Sequence, residues 1–289
     1  MAHPLCMPLP PLLTKLSGKE FAAFQTLIFQ MTGISLSQAK KDLLVGRLAR
    51  RVQALGCKSF TEYFDYLMKR KNAGELQAMI NLVTTNETYF FREPRHFDFL
   101  QQCAAQRPRQ NRDGFRVWSA AASSGEEAYT AAMVLAETLG QRPWEVVGTD
   151  ISTKVLATAQ GGHYPLTRTE GIPLSLLRKY CRKGIREQDG TLLVTKELRQ
   201  RVQFLHCNLL APASVTGQFD VILIRNLLIY FNLETKKKVI ANLLPFLRED
   251  GYLIVGHSES LKGVTQALVQ HLPSIYRRAS SLPLVRPKV

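Results

Sequence analysis

From Phe115 onward the chain alternates between two hydrophobic patterns. Short apolar runs, such as Val221-Ile222-Leu223-Ile224 within FDVILIRN (219–226), are separated by stretches whose apolar residues recur every three or four positions. A continuous apolar run can serve as a strand only if both faces of its sheet are covered. Strands covered on both faces by intervening helices belong to a parallel, doubly wound α/β sheet. The predicted strands are FRVWSA (115–120), WEVVGTDIS (144–152), QRVQFLHCN (200–208), FDVILIRN and GYLIVGHSES (251–260). The predicted helices are GEEAYTAAMVLAETLG (125–140), TKVLATAQ (153–160) and LETKKKVIANLLPFL (233–247). Residues 161–198 are too many for a simple crossover. They hold a helical LSLLRKYC and a strand-like TLLVT, and are predicted to form a small inserted subdomain on the sheet edge.

The first third has no such alternation. Apolar residues recur at helical spacing in three stripes: Phe21, Phe24, Leu27, Ile28 and Met31; Leu43, Leu44, Leu48, Val52 and Leu55; and Tyr63, Phe64, Leu67 and Met68. Ser17 with Glu20 has the form of a capping box, and Gly33, Gly56 and Gly74 are placed to stop helices. The domain reading is an arm over 1–14, a helical domain over 15–84, a linker and helix over 85–110, and an α/β domain over 111–289. The arm is read from Pro4, Pro8, Pro10 and Pro11, and from the lack of a basic stretch that would mark a signal peptide.

Composition narrows the class. No apolar run reaches the roughly 18 residues of a membrane span. Five scattered cysteines, never in C-x-x-C spacing, argue against disulfides or a zinc site and fit a cytoplasmic protein. The six histidines show no ligand spacing, so no metal is expected. The formal charge is +15 and unevenly placed: residues 1–85 hold eleven Lys/Arg against five Asp/Glu, and residues 161–206 nine against four. Such surfaces attract polyanions, whether nucleic acid, anionic lipid or an acidic protein.

Ligands of doubly wound sheets bind at the carboxyl ends of the strands. Those ends carry SAAASSGEEAY (119–129), Asp150, Cys207-Asn208-Leu209 and Arg225-Asn226-Leu227. A small-residue turn with an acid at the second strand's tip is a common plan for an adenosine, whose ribose hydroxyls the carboxylate accepts. A dinucleotide would need G-x-G-x-x-G for its pyrophosphate, whereas here Ala120 to Ser124 precede a single Gly125. Glu126 and Glu127 at the helix start would repel a diphosphate. They suit a cationic ligand such as S-adenosylmethionine, with its sulfonium and ammonium groups.

TTNETYFFRE (84–93), VWSAAASSGEEAY (117–129), GTDIS (148–152), CNLL (207–210), FDVILIRNLLIYF (219–231) and GHSESL (256–261) resemble, in order and spacing, the successive motifs of the chemotaxis receptor methyltransferases, the CheR family. The likeness runs from Phe21 to His257. It implies a Rossmann-like class I S-adenosylmethionine-dependent sheet with an N-terminal all-α domain. It also implies an enzyme that esterifies glutamates on the cytoplasmic helices of bacterial chemoreceptors, leaving S-adenosylhomocysteine. By that resemblance Asn86 and Thr88 take polar groups of the methionine part, and Arg92 sits where methyl donor and acceptor meet. Glu127, with Glu126 as the alternative, binds the methionine end, and Asp150 the ribose. Asn208 and Leu209 flank the adenine, Asn226 and Leu227 line the cofactor near the transfer point, and Tyr230 stands beside the incoming glutamate. Leu227 replaces the Val or Met common in relatives, and Tyr89 a smaller residue. Tyr89, Phe90 and Phe91 are expected to bury the joint between the domains.

Glutamate is ionised at neutral pH, with a reference pKa of about 4.3, so the reaction needs no general base. Lys40, Lys41, Arg47, Arg50 and Arg51 along one helical stretch would dock on acidic receptor helices. In some relatives the insertion grips a receptor's C-terminal peptide, which KYCRKGIREQDGTLLVT (179–195) leaves open. The expected protein is a monomer that binds neither nucleic acid nor membrane. Two other classes compete: a nucleic-acid methyltransferase, against which RNLLIYF (225–231) lacks the N/D-P-P-Y/F tetrapeptide, and a non-catalytic S-adenosylmethionine-binding module.

Overall fold

The computed structural model describes residues 13–69, 72–107 and 114–281. The chain divides into two compact units, one running to Thr85 and including Tyr230–Asn232, the other comprising Asn86–Ile229 and the chain from Leu233.

The first unit is helical: α1 (Gly18–Thr32), α2 (Lys41–Ala54), α3 (Phe60–Lys69) and α4 (Ala73–Val83). The Ser17–Glu20 capping box is formed in both directions, with bonds of 3.1 and 2.8 Å. Gly33 ends α1 in the left-handed conformation. Gly74 does not stop a helix. It lies in the first turn of α4, whose cap is Asn72, accepting from the Glu75 N–H. The three stripes share one core, in which the Phe24 ring of the first meets Phe64 of the third edge-on at 5.3 Å and stacks with Tyr63 at 6.1 Å. Two stripe members miss the core: Leu43 and Met68 are exposed. Residues 1–12, most of the expected arm, lie outside the described residues, but Leu13 is fully buried in this core, so the arm does not extend to 14. Ile34 and Phe231 form an isolated bridge, and the Ser35 N–H donates to the Tyr230 carbonyl at 2.9 Å.

The second unit opens with α5 (Arg95–Gln106) and alternates β1 (Phe115–Ser119), α6 (Glu126–Leu139), β2 (Trp144–Asp150) and α7 (Thr153–Gly161). The segment that follows holds β3 (His163–Pro165), α8 (Leu174–Tyr180), β4 (Cys181–Lys183), β5 (Thr191–Val194) and α9 (Lys196–Arg199). The main sheet resumes with β6 (Val202–His206), β7 (Phe219–Ile224), α10 (Leu233–Leu243), β8 (Leu247–Val255), β9 (Leu268–Leu272) and β10 (Ile275–Arg278). Its strand order is β6-β2-β1-β7-β8-β10-β9, parallel from β6 to β8. The last two strands form an antiparallel hairpin on the far edge. That hairpin was not expected from the sequence: LVQHL carries only one buried residue, so its pattern reads as loop. β7 is buried along its whole length, as its apolar run requires.

Chain order reverses across β1. The path runs outward through β2 to β6, then returns to β7 on the other side, which puts the switch point at the ends of β1 and β7. β3, β5 and β4 form a separate antiparallel sheet. This insertion is anchored to the turn before α6: the Tyr164 hydroxyl donates to the Ser124 carbonyl at 2.7 Å. Gly125, at φ 97°, has no room for a side chain, since a Cβ would lie 2.8 Å from the Ala159 methyl.

Candidate cofactor and active site

Asp150 ends β2 nearly buried, at 8% exposure. One carboxylate oxygen accepts the Ser123 N–H and the other the Ser152 N–H, both at 2.9 Å. Asp150 therefore holds the β1–α6 turn and the start of α7 together. Burial pushes its pKa up and these N–H groups pull it back.

The two carboxylates that open α6 are not a free acidic mouth. Glu126 is fully buried; it accepts from the Ser124 hydroxyl at 2.7 Å and pairs with Arg168 at 3.0 Å. Burial raises its pKa against both partners. Glu127 accepts from the Ser119 hydroxyl at 2.7 Å and from Arg225 Nη1 at 2.8 Å. Both acids expected at the cofactor thus already have protein partners, for a physical reason: a carboxylate removed from water must be paired. Glu127 keeps 11% of its side chain exposed, whereas Glu126 keeps none.

Arg225, which follows β7, is itself only 1% exposed and joins Glu127 to Glu93 of the segment before α5, with Nη2 3.1 Å from the Glu93 carboxylate. Glu93 also accepts from the Asn226 amide at 3.3 Å and from the His257 N–H at 3.2 Å. Burial works to raise the Glu93 pKa, but Arg225 and Asn226 outweigh it and hold it below the usual value. Three carboxylates (Glu93, Glu126, Glu127) are therefore met by two guanidinium groups (Arg168, Arg225). With Asp150 set apart on its own strand, this donor set fits a nucleoside bearing a positive charge better than one bearing phosphates.

Asn226 adopts φ 56°. Glu259 explains how: its carboxylate accepts the N–H groups of Asn226 at 2.8 Å, Gly256 at 2.6 Å and Ile229 at 3.3 Å, fixing the turn that presents Asn226 and Leu227. Asn208 accepts from the Leu210 N–H at 3.0 Å, and Leu209 is buried.

Residues 84–94 contain no helix. The aromatic run does not act as one block. Phe90 is buried edge-on to Tyr164 at 5.1 Å and Phe91 packs on Phe97 at 5.9 Å, both inside the second unit. Tyr89 is 49% exposed, contrary to expectation, with the Arg92 guanidinium 5.7 Å from its ring centre. Arg92 donates to the Glu87 carbonyl at 2.9 Å. The Asn86 carbonyl accepts from Ser123, at 2.9 Å, which ties the start of this segment to the turn beside Asp150; Thr88 is partly buried. Two sets of hydrogen bonds therefore lie around the ends of β1, β2 and β7: Asn86 and Asp150 are linked through Ser123, and Arg92, Glu127 and Asn226 through Arg225 and Glu93, while Tyr230 is grouped with the helical unit.

Residues 19–84 match the family model "CheR methyltransferase, all-alpha domain", and residues 86–275 match "CheR methyltransferase, SAM binding domain". The chain belongs to the CheR methyltransferase family. It is 39% identical over 264 residues to the chemotaxis protein methyltransferase of Escherichia coli (strain K12), covering 90% of this chain and 91% of that one. It is 40% identical over 245 residues to chemotaxis protein methyltransferase 2 of Pseudomonas aeruginosa, covering 84% and 86%. The CheR chain is thus an α/β methyltransferase with an S-adenosylmethionine-binding domain and an all-α domain.

The basic residues of the CheR all-α domain separate into two groups. Arg51 Nε donates to Glu75 at 3.0 Å, and Arg47 donates to the Val83 carbonyl and, at 2.9 Å, to the Thr85 hydroxyl. Both are structural clamps within that unit, and burial lowers the pKa of Arg47. Lys40 and Arg50 are exposed and Lys41 partly so. Among the described residues no helix is long and apolar enough to cross a membrane.

Sequence reasoning missed Glu93, His96, Arg168, Arg225, His257 and Glu259. All but His96 and Arg168 stand inside motifs quoted above, where a charged residue among apolar neighbours was the available signal. Donor atoms of Glu93, His96 and His257 lie within 4.8 Å of one another, although no spacing along the chain announces it. The Glu93 carboxylate is already engaged by Arg225, and His96, 2% exposed, is held neutral, its pKa lowered to about 4 by burial and by Arg225. The cluster therefore reads as part of the arginine network.

Proposed function

We propose that this chain is a protein-glutamate O-methyltransferase. It moves the methyl group of S-adenosylmethionine onto glutamate side chains of cytoplasmic chemoreceptor helices and so tunes chemotactic adaptation. The observation that carries this reading is the acid-rich but internally paired cluster around Glu127, with Asp150 at the end of the neighbouring strand, at the switch point of a CheR-family sheet. It suits a sulfonium nucleoside, and it contains no side chain poised as a base.

S-adenosylmethionine, when bound, supplies an electrophilic methyl group. On this reading Asp150 accepts the ribose hydroxyls, and Glu127 offers charge to the ammonium end, with Glu126 held back by Arg168. Asn208 and Leu209 flank the adenine. Asn86 and Thr88 contact the methionine part, and Asn226 and Leu227 line the pocket near the transfer point. Arg92 steers the glutamate carboxylate and Tyr230 shares that task, because too close an ion pair would blunt the nucleophile. Alignment and exclusion of water are then the sources of rate, effects worth about 7–11 kcal/mol in well-oriented reactions. The insertion, the monomeric state and the cytoplasmic setting belong to the same proposal.

The test is calorimetry with S-adenosylhomocysteine, followed by methyl transfer to receptor cytoplasmic fragments. Methyl groups released as methanol by base support the ester; base-stable methyl groups, or transfer to nucleic acid, overturn it. Arg92→Ala is expected to lower the transfer rate far more than cofactor affinity. Equal losses would assign Arg92 to cofactor binding alone.

A further inference from the structure

We propose that Arg225 is the positioning residue of the transfer reaction, acting through the main chain of Arg92. The proposal rests on the methyltransferase reading for its kinetic consequence, but its structural half stands on the geometry alone.

Arg92 sits in a conformation that the chain would not adopt unaided. Its two neighbours, Phe91 and Glu93, both have φ 57°, in the left-handed region that disfavours side chains with a Cβ. Two such residues flanking a third persist only where the surroundings over-determine the backbone. Several contacts do so. Phe90 is locked in the core against Tyr164, and the Phe91 N–H donates to the Thr130 hydroxyl at 3.1 Å. These fix the approach to Arg92.

Arg225 fixes Arg92 itself and the residue after it. Its Nη2 donates both to the Arg92 carbonyl and to the Glu93 carboxylate, while Nη1 donates to Glu127. The guanidinium lies 5.3 Å from the centre of the Phe97 ring, which covers it. One planar cation thus ties three things together: the linker's main chain at Arg92, the linker's acid, and the acid that opens α6. The point from which the Arg92 side chain starts is set relative to Glu127 by this single group. A lysine could not reproduce that, because an ammonium is a point charge without the fork that serves separate acceptors on two nitrogens.

The experiment has two arms on the full-length protein. The first measures hydrogen exchange across residues 86–94 in wild type and Arg225→Lys. At least tenfold faster exchange is expected in this segment, with β7 and α6 unchanged. Unchanged exchange in 86–94 overturns the proposal whatever the kinetics show. The second arm is a double-mutant cycle of Arg225→Lys and Arg92→Ala in the transfer assay. Arg225→Lys is expected to lower kcat by about 10²-fold, the cost of a misplacement near 1 Å, with KM for the cofactor changed far less. In that background Arg92→Ala is expected to cost little more, because Arg92 is already displaced. Additive effects would make Arg225 a merely structural residue and overturn the proposal. Should Arg225→Lys fail to fold, Glu93→Gln, which keeps the side chain's shape and removes one of the arginine's charged partners, is run in the same two arms with the same outcomes. Wild-type protein that binds S-adenosylhomocysteine yet methylates no receptor fragment would overturn the functional reading instead, and the exchange arm then decides the proposal.

Discussion

Both units bury an ion pair involving arginine, and they do it in opposite senses. In the helical unit the buried partner is the acid: Glu75 is 4% exposed and accepts from Arg51 and, at 2.9 Å, from the Tyr63 hydroxyl, while 39% of the Arg51 side chain remains exposed. In the second unit the buried partner is the base: Arg225 is 1% exposed, with Glu93 on one side and Glu127 on the other. Loss of Arg51 removes the cation from one acid, which keeps the Tyr63 hydroxyl. Loss of Arg225 removes it from two acids at once, leaving Glu127 only the neutral Ser119 hydroxyl and Glu93 the Asn226 amide and the His257 N–H as hydrogen-bond donors. The first arrangement is a clamp between helices, and the second makes a functional segment depend on a single side chain.

The largest expected effect comes from breaking that contrast directly. Arg225→Leu should destabilise the second unit by about 3–5 kcal/mol, as removal of one member of a buried ionic network does. Arg51→Leu should cost about 1 kcal/mol, because its pair is partly solvated and Glu75 keeps Tyr63. Both tryptophans, Trp118 and Trp144, lie in the second unit, so their fluorescence in a urea titration reports that unit alone. Amide exchange in α4 reports the other. Equal costs would mean that the two pairs are the same kind of object.

Acid should separate the units next. His96 is packed among Arg225, Glu93 and His257, and no histidine lies among the described residues of the helical unit. Its folded-state pKa, lowered to about 4 from an ordinary 6.5, means that between those values the unfolded chain binds a proton that the folded chain refuses. The stabilisation is complete above pH 6.5 and is lost as pH falls towards 4, an effect of up to about 3 kcal/mol. The lowered Glu93 pKa acts in the same direction at lower pH. Tryptophan-detected stability should therefore fall between pH 6.5 and 5, while α4 exchange stays flat over that interval. His96→Asn should flatten the first profile; an unaltered slope would locate the titration elsewhere.

Much of this architecture is legible along the chain because burial is periodic. β7 and the helical stripes each advertise the face they hide, and the Ser17–Glu20 box advertises a helix start. The network around Arg225 is not legible in that way. Arg225, Glu93 and His257 are distant in sequence: the parallel register of β7 and β8, which pairs Ile224 with Val255, brings Arg225 and His257 to the same sheet end, and only the fold of the segment before α5 adds Glu93. For the same reason the acids of α6 looked like a mouth for cations, when one is taken by the insertion through Arg168 and the other by Arg225. Leu43, Met68 and Tyr89 mark the converse failure: apolar type alone does not say which side of an element faces water. The sheet-edge hairpin escaped because β9 hides only Leu268, while Leu272 at its other end is exposed, so no alternating pattern marks it as a strand.

The basic face of the helical unit offers the mildest test, and it separates residues that sequence alone grouped together. Lys40 and Arg50 are exposed, whereas Arg47 and Arg51 already hold the unit together. Charge reversal of the exposed pair, Lys40→Glu with Arg50→Glu, should leave stability within about 0.5 kcal/mol, as surface substitutions usually do. Affinity for acidic receptor helices should fall several-fold at low ionic strength and converge with wild type as salt screens both proteins. The same reversal at Arg47 and Arg51 should instead lower stability, so that any loss of transfer there tracks the unfolded fraction. A receptor affinity that ignores Lys40 and Arg50 at every salt concentration would remove this face from the docking surface, and leave its charge as solvation of the helices alone.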